Sequence, residues 1–307
     1  MEYVLRTFDV VKKYKNHYAL NKVNMNVQKG DIYGFVGENG SGKTTIIRLI
    51  CGLIAQNEGS FELFGVKYNS SDIHKVREKL GAIVESPSIY ANMSAKDNLK
   101  MQSVLIGVNS EEKIKEVLEY VGLSELYDSP KKAGDFSLGM RQRLGIAMAL
   151  IGEPEFIILD EPMNGLDPQG IVEIRELILK LNNEKGITFL ISSHILTELA
   201  LVATKYGIIS KGRIIKEITA EELRNECRQS TEIKAENLRA LTKAVEGKLD
   251  GYEITLVPNG IKIFGEIDLS SVLKLIIDAG VKITSVNSSS FSIEDYYLSI
   301  IGGVKND

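Results

Sequence analysis

The residues Gly37, Glu38, Asn39, Gly40, Ser41, Gly42, Lys43, Thr44 and Thr45 are spaced to hold a polyphosphate: a glycine, four residues, a glycine, a lysine and a hydroxyl. Glycines lack side-chain bulk and tolerate positive φ, so the backbone can wrap closely around phosphate oxygens. Successive N–H groups in such a turn point inward and form a concavity for an anion. Lys43 then adds positive charge near the β- and γ-phosphates, and the Thr44 hydroxyl is placed to ligate Mg²⁺. The flanks suit this use. Residues 31–36 form a short apolar run that reads as a buried strand. Residues 45–53 read as a helix with Ile46, Ile47, Ile50 and Leu53 on one face. That order aims a helix N-terminus at the same phosphates, which an accidental glycine-rich turn would not need.

Two more stretches end in groups able to do chemistry. The apolar run 156–160 closes on Asp160, followed by Glu161. One acid there can hold the metal that Thr44 also ligates, and the next can polarise a water for attack on a γ-phosphate. The run 188–193 ends next to His194, which is either a capped strand end or a catalytic neighbour. Tyr14 is either a partly buried surface aromatic or a ring that stacks on a base.

These groups need a sheet to position them. Strands at 31–36, 81–85, 156–160, 188–193 and 206–210 alternate with helices, which implies a mostly parallel α/β sheet with right-handed crossovers. Residues 4–30 and 60–64 alternate apolar and polar side chains and read as an antiparallel β subdomain. A short helix is expected over 72–80. Helices expected from Ser94 (carrying Leu99, Val104 and Leu105), from Asn109 (carrying Ile114, Val117, Leu118 and Val121) and from Phe136 (carrying Leu144, Ala147, Met148 and Ile151) make residues 92–151 a helical subdomain. Residues 1–218 are thus expected to form one domain. Residues 219–307 follow the order β-α-β-β-α-β, with an Asn-Gly hairpin at 259–260, and are expected to form a small ferredoxin-like α+β domain. That second unit shows no glycine-rich loop, ligand cluster or catalytic pair, so it reads as a structural or dimerising module.

Composition narrows the class. The chain has 307 residues, with 41 acidic and 37 basic side chains and a formal net charge of −4. Such a balance gives no excess of positive charge to recruit nucleic acid, and no nucleic-acid partner is expected. Two cysteines, Cys51 and Cys227, make neither a disulfide framework nor a metal site and fit a reducing compartment. No apolar run approaches the roughly 20 residues that span a bilayer. A membrane role would therefore need another chain.

Residues 1–218 resemble the ATPase subunits of ABC transporters, with motifs in the family's order. Residues 159–168 resemble the Walker B acid Asp160, the catalytic Glu161 and the loop bearing Asp167. Residues 191–194 resemble the switch-histidine motif, and 137–142 the ABC signature. Tyr14 matches the family's adenine-stacking aromatic. The resemblance implies ATP and Mg²⁺ as cofactors. It implies two copies closing head to tail, with Ser137 and the Gly139 N–H contacting the γ-phosphate on the opposite copy, and His194 contacting γ-phosphate and water. Glu85 stands at the Q-loop glutamine position, near the metal, and Leu138 and Met140 depart from the usual signature. These variants are usual in the bacitracin- and lantibiotic-exporter branch, which the sequence also resembles. The implied function is ATP hydrolysis that powers a separate membrane permease, from the cytoplasmic face of the cell membrane, exporting a peptide antibiotic or similar amphipathic compound. A soluble ABC ATPase acting on ribosomes or DNA is the alternative. Ribosomal members carry two cassettes and repair members carry coiled coils or zinc hooks, features this sequence lacks.

Overall fold

The computed structural model describes residues 2–302 apart from 109, 250, 290 and 291. The chain divides into two compact units, Met1–Ala220 and Glu221–Asp307.

In the first unit, β1 (Tyr3–Tyr14) and β2 (His17–Gln28) form an antiparallel hairpin. Val23, Met25 and Val27 of β2 face the core, as period-two alternation requires. β3 (Ile32–Val36) is buried throughout and leads through the glycine loop into α1 (Lys43–Ile50). This helix ends earlier than its apolar pattern suggests. Gly52 turns at φ +79°, and Leu53 is 64% exposed instead of lying on the buried face with Ile46, Ile47 and Ile50. β4 (Glu58–Leu63) and β5 (Val66–Lys67) complete an antiparallel sheet of order β2-β1-β4-β5. α2 (Ile73–Arg77) is shorter than expected, because Leu80 opens β6 (Leu80–Ile83) rather than closing the helix.

The helical segment follows. α3 (Ala95–Leu105) starts with a reciprocal capping box between Ser94 and Asp97. It carries Leu99, Val104 and Leu105, as expected; Leu99 is buried, and Val104 and Leu105 are exposed. α4 (Glu111–Tyr120) is capped by Ser110 and buries Ile114, Val117 and Leu118. Asn109, expected to open this helix, lies outside the described residues. α5 (Leu138–Leu150) is capped by Ser137, whose Oγ accepts from Met140 N–H at 3.2 Å. Its Leu144 and Ala147 are buried, as is Ile151 just beyond it, and Met148 is half-buried.

The chain then returns to the sheet with β7 (Phe156–Asp160), α6 (Pro168–Lys185), β8 (Thr188–Ser193), α7 (Leu196–Leu199), β9 (Lys205–Ser210) and β10 (Arg213–Thr219). Among the described residues the strand order is β10-β9-β3-β8-β7-β6, parallel except for the antiparallel edge β10. Every residue of β3, β7 and β8 is buried, the pattern of a sheet covered on both faces. Phe35, Ile46, Ile50 and Phe156 pack in one core with Leu5, Val23 and Phe61 of the antiparallel sheet.

The second unit opens with α8 (Ala220–Glu226), whose first residue closes the first unit. It contains β11 (Ser230–Ala235), α9 (Leu238–Val245), β12 (Glu253–Val257), β13 (Gly260–Phe264), α10 (Leu269–Asp278), β14 (Ile283–Ser289) and α11 (Ile293–Gly302). The strand order is β12-β13-β11-β14, with antiparallel neighbours throughout. Ile233, Leu241, Ile261, Ile263 and Ile276 form its core. Asn259, at φ +59°, makes the β12–β13 turn.

Candidate active site

The C-terminal ends of β3, β7 and β8 lie side by side, because the parallel register pairs Val36 with Ser193 and Asp160 with Ser192. Crevices at this edge of a parallel sheet are where ligands bind. Gly37 to Thr45, Asp160, Glu161 and His194 all leave the sheet here.

The glycine loop is pressed against its surroundings. A Cβ on Gly37 would lie 2.4 Å from the Ile209 carbonyl oxygen and 2.6 Å from Ser41 Oγ. Gly42 has φ +113°, and a Cβ there would lie 2.6 Å from the Ala19 carbonyl oxygen. Neither position accepts a side chain. Glu38, Asn39 and Gly40 arch over the outer side and are exposed. Ser41 Oγ is buried with no hydrogen-bond partner among the described residues, an orphan polar atom in the loop itself. The first α1 N–H bonded within the helix is that of Ile46, to the Gly42 carbonyl, so the Lys43, Thr44 and Thr45 N–H groups stand at the open helix end. This is a cradle suited to an anion.

Lys43 is 5% exposed, and its ammonium is held on three sides. Nζ donates to the Gly37 carbonyl at 2.7 Å and the Glu38 carbonyl at 3.4 Å, and lies 3.2 Å from Glu161 Oε1. A buried ammonium without such partners would be strongly destabilising. Thr44 Oγ1 donates to Asp160 Oδ2 at 2.9 Å. Ser192 Oγ donates to Asp160 Oδ1 at 2.5 Å and accepts from the Glu161 N–H at 2.9 Å. His194 Nδ1 lies 2.8 Å from Glu161 Oε2, within hydrogen-bonding distance of the carboxylate. Glu161 sits at φ +50°, a backbone conformation a side chain rarely adopts, which turns its carboxylate toward Lys43 and His194.

Thr44 and Asp160 put two hard oxygen donors side by side. Among the described residues no cluster of three or more His, Cys, Asp or Glu side chains is disposed to hold a metal. Two protein oxygens, completed by substrate phosphates and water, are the donor set that suits Mg²⁺.

Tyr14 ends β1 opposite His17, on the hairpin whose Ala19 and Leu20 pack against Gly42. Its ring is 46% exposed, with Lys12 Nζ at 5.1 Å from the centroid. Ser137 and Gly139 lie at the N-terminus of α5 and make no hydrogen bond to the P-loop of their own chain among the described residues. Glu85 pairs with a side chain of α1. Its Oε1 accepts from Arg48 Nη2 at 2.6 Å, its side chain is exposed, and it is not a partner of Thr44 or Asp160. The Arg48 guanidinium offers it a charged partner outside the cradle. Ser192 was not anticipated as a site residue. Its signal lay in the register of two buried parallel strands, which puts it beside Asp160.

Residues 20–164 match the family described as ABC transporter. Bacitracin transport ATP-binding protein BcrA of Bacillus licheniformis is 39% identical over 305 residues, covering 99% of each chain. The chain belongs to the ABC transporter ATP-binding family. Lantibiotic transport ATP-binding protein SrtF of Streptococcus pyogenes matches this ABC protein over 214 residues at 44% identity, 70% of this chain and 90% of its own. A dimeric ATP-binding cassette in a post-hydrolysis state, bound to ADP and Pi, superposes with a TM-score of 0.63 at 27% identity, over 70% of this chain and 98% of that one. The protein is an ABC-type ATPase that binds nucleotide. Among the described residues no helix is long and apolar enough to cross a membrane.

Proposed function

We propose that residues 1–218 hydrolyse ATP to drive a separate integral-membrane permease, which exports a peptide antibiotic of the bacitracin or lantibiotic type or a similar amphipathic compound. Residues 219–307 are an accessory domain in this reading. The end-to-end match to a bacitracin transport ATP-binding protein carries it.

Lys43 exchanges its contacts with the loop carbonyls for β- and γ-phosphate oxygens, and the N–H groups from Glu38 to Thr45 cradle the same phosphates. Mg²⁺, held by Thr44 and Asp160, neutralises phosphate charge when bound. Glu161 orients the attacking water and takes its proton. His194 fixes the Glu161 carboxylate and faces the γ-phosphate. Tyr14 stacks on the adenine ring. Ser137 and the Gly139 N–H, at an open helix end, meet the γ-phosphate bound by a second, head-to-tail copy. Glu85, at the Q-loop position and paired with Arg48 in this structure, is the further acid on the metal side in this reading.

The permease holds the chain at the cytoplasmic face of the membrane. Exposed Leu53, Leu105 and Ile106 line an open groove of about 970 Å³ that also contains Arg48 and Glu85. Exposed apolar side chains set among charged ones in one groove support docking of the permease here. The test is recovery of the tagged chain from detergent-solubilised membranes of its source, paired with a deletion strain. Co-recovery of a polytopic protein without its own cassette, and increased susceptibility of the deletion strain to bacitracin or a lantibiotic, are expected. Recovery only with ribosomes or nucleic acid would overturn the transporter reading.

A further inference from the structure

The start of α5 and the loop after Glu161 are joined at two places, neither of which touches the nucleotide cradle. Gln142, 6% exposed, donates from Nε2 to the Pro162 carbonyl at 3.0 Å. Pro162 immediately follows Glu161, whose φ of +50° leaves the carboxylate position dependent on how the next residues are held. At the second place, Leu138 lies over Gly165. A Cβ on Gly165 would meet Leu138 Cδ2 at 3.3 Å, and one on Gly139 would meet Leu166 Cδ2 at 3.9 Å. Between the two anchors the loop is folded on itself, with Asn164 N–H donating to the Glu161 carbonyl and Leu166 N–H to the Met163 carbonyl, both at 3.2 Å. The loop ends on Asp167, which caps α6 through the Gly170 N–H.

We propose that Gln142 is a positioning residue for hydrolysis: it ties α5, whose first residues are Ser137 and Gly139, to the backbone that sets Glu161. Leu138 is the second, apolar part of the same tie. This inference rests on the hydrolytic role assigned to Glu161. Ser137 and Gln142 lie on one continuous helix, so they move as one body. A shift of the helix end is carried to the Pro162 carbonyl through a buried hydrogen bond. A displacement of about 1 Å at a catalytic group can cost on the order of 100-fold in rate. The tie therefore makes the Glu161 position depend on where the signature helix sits. Turnover is then favoured only when α5 is seated, while binding of nucleotide to one chain, through the Gly37–Thr45 loop and Tyr14, does not depend on the tie.

Gln142→Met keeps side-chain length and removes the donor. Leu138→Ala trims an exposed side chain and keeps the rest. Both would be compared with wild type and with Glu161→Gln for phosphate release, fluorescent-nucleotide affinity and thermal midpoint, using the full chain. The expected result for Gln142→Met is a fall in kcat of about 10- to 100-fold, with nucleotide Kd within about twofold. Leu138→Ala should lower kcat in the same direction by about threefold, again without weakening binding. A Gln142→Met protein with a lowered thermal midpoint but wild-type kcat would assign the residue a purely structural role and overturn the proposal. Equal losses in kcat and affinity would overturn it as well. Should Glu161→Gln itself turn over normally, the assignment of Glu161 fails first. If Glu161→Gln is inactive and Gln142→Met and Leu138→Ala are not impaired, the tie alone is wrong.

Discussion

Lys43 Nζ lies 3.2 Å from Glu161 Oε1, joining the glycine loop to the acid after β7. The same ammonium holds two loop carbonyls, so the loop closes around its own lysine. A polyphosphate offers that charge stronger partners than neutral carbonyls. Lys43→Ala should weaken ATP binding by about 10- to 150-fold, the size of a charge-assisted hydrogen bond, in a fluorescent-nucleotide titration. Unchanged affinity would remove Lys43 from the phosphate site.

His194 is the second group on Glu161, at 2.8 Å. Losing it frees the carboxylate to rotate away from the water it must orient. His194→Ala should lower kcat by about 100-fold and leave ATP affinity within a few-fold, measured by phosphate release and nucleotide titration.

Ser192 serves two acids at once. Ser192→Ala would leave one Asp160 oxygen and the Glu161 N–H without partners, and Asp160 is only 1% exposed. We expect a stability loss of about 1–3 kcal/mol in urea unfolding, together with a higher Mg²⁺ requirement for turnover. Val, which removes the hydroxyl and adds bulk, should be worse than Ala.

Cys51 gives a pH signature. Burial pushes its thiol from 9.0 to about 11, with Arg77 opposing the shift and Asp160 adding to it. The folded state thus favours the neutral thiol. Its contribution to stability is whole below pH 9 and is lost as pH rises toward about 11, where the unfolded chain has already released its proton. Cys51→Ala should flatten that alkaline decline by about 2 kcal/mol between those limits, read from urea unfolding at each pH.

Much of this arrangement was legible in the sequence because it is local. The runs 156–160 and 188–193 have the limits of β7 and β8, since continuous burial of a strand leaves little choice of side chain. The glycine loop was equally clear: Gly37 and Gly42 answer to contacts no side chain can enter, and Gly40 to a positive φ of 80°. Readings that depended on where an element stops were weaker. Leu53 was assigned to a helix that Gly52 ends, and of the apolar residues read on the helix from Ser94, Val104 and Leu105 are exposed. Long-range pairing was out of reach. Nothing local marks Arg48 as the partner of Glu85, or Gln142 as a donor to Pro162. Such contacts are set by how elements distant in the sequence pack together, which periodicity does not encode.

The most direct measurement is ATP binding and phosphate release by Glu161→Gln in parallel with wild type. The carboxamide keeps the shape of the side chain and loses the base, so ATP should bind within a few-fold of wild type while phosphate release falls by about 100-fold or more. Phosphate release at the wild-type rate from that variant would contradict the account.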